Sequence, residues 1–171
     1  MGTNNLIAVI AGGSHRVAQF SRYDGQPEYA GLEVLDYLRG ASLSLLCASA
    51  LNCRFVDGGR QSQSPQMSGQ IGALILPIIE RAGGCDLEDH MDFGTQGACE
   101  WAYVVDLDRN RLEVHGKDHS GCGRFHDLAR EMGCEQSANP VSILALFELD
   151  DLPDDEHFLG ALGRAPHPDA G

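Results

Sequence analysis

The stretch that most constrains this chain is Gly2 to Asp24, GTNNLIAVIAGGSHRVAQFSRYD. An apolar run, Leu6 to Ala11, meets a Gly12-Gly13-Ser14 turn signal, and a second extended run, His15 to Tyr23, follows. Two extended runs joined by a short glycine connection read as a β-hairpin. A chain terminus frays unless a sheet or a docked element ties it down. The hairpin therefore predicts a sheet that takes in the first strand, and the remaining residues have to supply its neighbours.

The later segments do so. Cys99 to Asp106 (CEWAYVVD) reads as a strand with Trp101, Tyr103 and Val105 on one face. Arg111 to His115 alternates polar and apolar residues and pairs back on it as a second hairpin. Val141 to Leu149 is almost continuously apolar, which predicts a central strand covered on both faces. Helices are expected from Gly31 to Gly40, from Ala41 to Leu51, near Arg124 to Met132, and from Pro153 to Gly163. Met67 to Ala82 has helical spacing at Ile71, Leu74, Ile75 and Ile78, with a kink or early end expected at Pro77. Asp57 to Pro65 and the acidic stretch Cys85 to Gly97 read as loops. Strands at both ends around a helical middle indicate a layered α+β domain, mainly antiparallel sheet covered by helices, over residues 1–163, with a tail at 164–171.

Charge excludes some functions. Twelve basic against 25 acidic residues give a formal charge of −13. Such a surface repels phosphates and anionic membranes, so no nucleic acid or membrane partner is expected. A protein partner, if there is one, would be basic. No run approaches the roughly 20 apolar residues that span a bilayer, and no basic segment precedes a long apolar one at the start. Six cysteines without a Cys-x-x-Cys pair then read as thiols of a cytoplasmic protein.

Two constellations carry candidate chemistry. The first is Gly2, Thr3, Arg22 and Asp24. Enzymes that use a terminal residue place it at a strand edge, where the free α-amine is the base for a side-chain nucleophile. Met1-Gly2-Thr3, the strand Leu6–Ala11, the turn and Arg22-Tyr23-Asp24 resemble the start of the N-terminal-nucleophile hydrolases of the choloylglycine-hydrolase type. That family begins Met-Cys-Thr and ends its second strand at Arg-x-x-Asp. The resemblance covers about the first 25 residues and implies an αββα fold and attack on the carbonyl of a small amide. It further implies that Asp24 orients the α-amine and that Arg22 holds a substrate carboxylate or the amine network. Gly2 stands where the family has cysteine, and glycine has no atom with which to attack. Thr3 would serve only if Gly2 were removed as well.

Thr3–Ile10, Val17–Gln19, Asp24-Gly25, Pro27 and Cys99–Asp108 also resemble a group of bacterial and phage proteins of similar length. Those begin Met-Cys-Thr or Met-Gly-Thr, and Tyr23 here stands where they carry Trp. This second resemblance spans much of the chain and implies a shared fold, with no activity attached. Asp24-Gly25 and Arg22 also have plainer readings, as a turn dipeptide and a solvated strand end.

The second constellation is His115, His119, Cys122 and His126. Imidazole and thiolate are the usual zinc ligands, and four in twelve residues suffice for a tetrahedral site. The spacing follows no standard zinc motif, so zinc binding and loop histidines both stand as readings. The carboxylates of Asp86, Glu88, Asp89 and Asp92 lack the alternation of a calcium loop. Gly12-Gly13 lacks the context of a phosphate-binding glycine motif. Function thus stands as an amidohydrolase-type domain without its nucleophile, an acidic partner-binding protein, or a small zinc-binding domain.

Overall fold

The computed structural model describes residues 2–56, 71–117, 121–134 and 138–163. Among the described residues seven strands form: β1 (Asn5–Ala11), β2 (Ser14–Ser21), β3 (Arg54–Phe55), β4 (Asp86–Leu87), β5 (Trp101–Asp106), β6 (Arg111–Gly116) and β7 (Ser142–Glu148). Five of them make one sheet in the order β2-β1-β5-β6-β7, and β3 pairs with β4 separately. β1 is antiparallel to β2 and parallel to β5, while β5–β6 and β6–β7 are antiparallel. The fold is therefore α+β, with a mixed, mainly antiparallel sheet.

The opening hairpin forms as expected. Gly12 and Gly13 both have positive φ, 64° and 82°, the conformation of a turn that matches strand twist and that glycine adopts without a Cβ penalty. The Asp108 carboxylate accepts from both turn amides, Gly12 N at 2.9 Å and Gly13 N at 2.8 Å. Those two bonds hold the Asp108 carboxyl below the usual carboxylate range.

β1 is buried along its whole length. Ile7, Val9 and Ala11 face one apolar cluster, and Leu6, Ala8 and Ile10 face the other. That double burial is why the sequence of β1 reads as a continuous apolar run rather than an alternation. On the first face pack α1 (Leu32–Gly40), α2 (Leu43–Leu51), α3 (Ile75–Ala82) and α5 (Asp155–Ala161), through residues such as Leu35, Leu46, Ile79 and Phe158. On the second pack α4 (Arg124–Glu131) and a 3₁₀ turn at Met91–Thr95, through Phe125 and Met91. Both faces of the large sheet are thus covered by helical segments. The only further strand pairing among the described residues is the short β3–β4.

Three local expectations need correcting. β7 is an edge strand, half-buried, with Leu146 50% exposed. Its apolar run reflects packing on one side, where Phe147 meets Phe158 of α5 at 5.2 Å between ring centroids, and such a run cannot by itself tell an edge from a centre. Pro77 does not kink a helix, because α3 starts at Ile75. Pro77 therefore lies in the first turn, where its missing N–H is not needed. At the other end of the chain, the helix begins after Asp154, whose carboxylate accepts from His157 N at 2.8 Å, so Pro153 precedes the cap. The expected acidic loop holds the two-residue β4 and the Met91–Thr95 turn. The expected loop at 57–65 and tail at 164–171 lie outside the described residues.

Candidate functional site

The start of β1 and the end of β2 meet at one corner of the sheet. Gly25 N donates to Thr3 O at 3.1 Å, and Ala30 N donates to Asp24 O at 3.0 Å. The side chain of the buried Asn5 donates to Tyr23 O at 3.2 Å, and the Tyr103 hydroxyl of β5 donates to Gly25 O at 2.8 Å. Asp24 sits in the left-handed region at φ 49°, a conformation that Asp tolerates better than most residues. Gly25 has no spare room: a Cβ there would fall 2.7 Å from Thr3 O and 2.8 Å from the Asn5 side chain.

Gly2 lies in the same corner, against Arg22. A Cβ on residue 2 would fall 2.0 Å from the Arg22 carbonyl oxygen and 3.1 Å from the Tyr23 ring. The backbone occupies the place where a nucleophilic side chain would have to begin.

Gly2, Thr3, Arg22 and Asp24 are therefore brought together, but through main-chain contacts. The Arg22 guanidinium carbon lies over the Phe20 ring, 5.8 Å from its centroid. The Asp24 charge acts on Glu33, whose carboxyl is raised first by burial and then by Asp24. Two buried acceptors near this corner in sequence, Asn5 Oδ1 and Gln26 Oε1, have no hydrogen-bond partner.

A second polar constellation lies on the face of the sheet covered by α4. Glu113 and Asp106 are each 1% exposed. Glu113 accepts from Arg111 Nη2 at 2.7 Å, from Arg124 Nε at 2.8 Å and Nη2 at 2.9 Å, and from His115 Nε2 at 3.0 Å. Arg124 Nη2 also reaches Asp106 Oδ2 at 2.7 Å. Burial alone would raise the Glu113 carboxyl, but the bonds from His115 and Arg124, the Arg124 charge and the Arg111 bond outweigh it and hold it well below the carboxylate range.

His115 is fully buried, with its ring edge-on to Phe125 at 5.0 Å. Burial lowers its pKa more than the Glu113 contact raises it, so the ring is neutral. A neutral ring that donates from Nε2 to a carboxylate leaves Nδ1 as a bare acceptor, and that atom is buried without a partner.

The histidines and cysteine considered for zinc are placed as follows. His115 is turned to Glu113, and His126 Nε2 lies 2.9 Å from Ser142 Oγ. Cys122 is exposed, and His119 lies outside the described residues. Among the described residues, no group of three or more His, Cys, Asp or Glu side chains converges on a metal position.

The sequence reading missed Glu113, Asp106, Arg111 and Arg124. The signal was present in Arg-Leu-Glu-Val-His at 111–115, where Arg111, Glu113 and His115 share one face of β6. A polar face on a strand normally meets solvent. Here the double-sided burial of β1 and β5 required that face to be covered. No protein-family model, curated protein or solved structure matches this chain.

Proposed function

We propose that this chain is a domain of the N-terminal-nucleophile, amidohydrolase type that lacks its nucleophile and acts without catalysing amide hydrolysis. The observation that carries the reading is the position of Gly2: in the corner beside Arg22 and Asp24, yet with the Arg22 carbonyl where a side chain would begin. Acyl transfer at a chain terminus needs a side-chain nucleophile with an adjacent base, and neither Gly2 nor the backbone-bonded Thr3 supplies one. The likeness to the hydrolases rests on the hairpin and its Arg-x-Asp corner, not on the layering of the sheets.

What remains to such a domain is binding. The formal charge of −13 favours a basic protein partner over nucleic acid or an anionic membrane. Incubation of the full chain with a panel of N-acyl amides, followed by detection of released amine, tests the catalytic half. The expected result is no release above the spontaneous rate, and saturable release would overturn the reading.

A further inference from the structure

Helices α2 and α3 finish side by side, and each hands over to a cysteine. α2 ends at Asn52 and continues into Cys53, while α3 ends in left-handed Gly83, at φ 67°, and continues through Gly84 into Cys85. The two ends are fastened to each other: Asn52 Nδ2 donates to Gly83 O at 3.1 Å, and Gly84 packs so close that a Cβ would fall 2.5 Å from Asn52 Cβ. β3 and β4 then run parallel in the register Arg54↔Asp86, with Arg54 N donating to Cys85 O at 3.1 Å. Cys53 and Cys85 each stand one residue before that pair, so they are opposite one another and project to the same face.

Neighbouring strands lie roughly 4.8 Å apart, inside the span of about 4.4–6.8 Å between Cα atoms that a disulfide bridges. The two thiols lie close enough to shift each other's ionisation. They differ in access. Cys53 is 6% exposed, and its thiol is also 3.5 Å from Ser49 O. Cys85 is half-buried and lines a cleft of about 370 Å³ with Leu51, Asn52, Arg54, Gly84 and Asp86.

We propose that Cys53 and Cys85 are a modification site, a dithiol that low-molecular-weight disulfides convert reversibly into an intramolecular disulfide. Cys85 is the sulfur reached from the cleft. Its thiolate, the proton having gone to water, attacks one sulfur of the small disulfide, forms a mixed disulfide and expels one thiolate, which takes up a proton. Cys53 then gives up its proton and attacks the Cys85 sulfur, forming the Cys53–Cys85 bond and expelling the second small thiol. Two protein S–H groups are oxidised, one external disulfide is reduced to two thiols, and no other reactant is needed.

The two thiols perturb each other, Cys53 being held down to about 7 and Cys85 pushed up, so the pair together gives up one proton readily. Access from the cleft sets which sulfur is reached first. The bond would join the ends of α2 and α3 across the intervening chain.

The test equilibrates the full-length wild-type protein in glutathione buffers of graded oxidised-to-reduced ratio. Quenching, alkylation and peptide mass mapping follow, with thermal melts of the same samples. Expected are a linked peptide joining Cys53 to Cys85 that rises with the oxidised fraction and disappears on reduction, alkylation of the other four cysteines throughout, and a Tm higher by about 5–10 °C in the linked form. In Cys53→Ser, glutathione should remain on Cys85 as a stable mixed disulfide. Full alkylation of both cysteines in the most oxidising buffer, or a linkage that pairs either one with a different cysteine, would overturn the proposal. The wild-type experiment decides this even where the variant does not fold.

Discussion

The Gly2–Gly25 corner and the Glu113 network are polar concentrations beside the same sheet, and they are built from opposite materials. The corner is made of main chain: Gly25 N to Thr3 O, Ala30 N to Asp24 O, and Gly2 against the Arg22 carbonyl. The Arg22 guanidinium there lies over the Phe20 ring. The network is made of side chains, two carboxylates against Arg111 and Arg124, with a neutral histidine closing the set. The corner gathers Gly2, Thr3, Arg22 and Asp24 through main-chain contacts rather than through reactive side chains. The network has titratable groups bonded mainly to each other, with the buried Nδ1 of His115 left without a partner. Gathering titratable residues is thus not enough for chemistry; a free lone pair or proton must face a space that a substrate can enter.

The contrast predicts a ranking of mutational costs. Glu113→Ala is the largest, because it removes the carboxylate of Arg111 and His115 and leaves Arg124 only Asp106. Breaking a buried ion pair from one side costs about 3–5 kcal/mol, readable as a lower urea midpoint with an unchanged slope. A loss below about 1 kcal/mol would mean that water already reaches the network.

Acid should attack the network before it reaches the corner. His115 is neutral in the fold with a lowered pKa, so the unfolded chain takes up its proton first. The stability His115 contributes is full above about pH 6.5 and is lost as pH falls. Glu113, held well below its ordinary value, adds a second loss that begins near the unfolded carboxylate value of about 4.3. Exposed His157, raised by its bond to Asp154, acts in the opposite sense but is screened by water. Unfolding free energy measured from pH 8 to pH 3 should therefore decline in two steps, and His115→Gln should remove the first. A profile flat from pH 7 to pH 5 in the wild type would contradict the buried neutral histidine.

Within the corner, Gly25→Ala meets Thr3 O and Asn5, both fixed by the sheet, and should cost about 1–3 kcal/mol by overpacking. Gly2→Ala meets a still closer backbone oxygen, 2.0 Å from the new Cβ against 2.7 Å at Gly25, and should cost a similar amount. A cost near zero at residue 2 would show that the first residues move aside and that the Arg22 carbonyl does not bar a side chain there. Smallest of all, Asp108→Ala should lower Tm by no more than a few degrees, since its two bonds to the hairpin turn are solvent-exposed.

How far the sequence was legible follows the same division. The hairpins β1–β2 and β5–β6 could be read because their turns and alternation are local, and the meeting of residue 2 with the Asp24 corner follows from hairpin geometry. The parallel pairing of β1 with β5 could not, because residues 5 and 101 are joined only by the fold. That pairing buries both faces of β1 and so turns Arg111, Glu113 and His115 inward instead of toward water. The edge position of β7 was hidden because Ser142–Glu148 is apolar on both sides of its alternation. The clash at Gly2 was equally invisible, since it depends on a carbonyl twenty residues away rather than on the identity of residue 2.

The most direct measurement compares the wild type with Gly2→Cys, each with Met1 removed as confirmed by intact mass, on the same panel of N-acyl amides. The account predicts that neither releases amine above the spontaneous rate. The new thiol has to displace the main chain at Arg22, so it should react with a simple alkylating agent no faster than an ordinary exposed cysteine. Saturable amine release by Gly2→Cys, abolished by alkylating residue 2, would contradict it and show that the corner is an intact hydrolase site lacking only its sulfur.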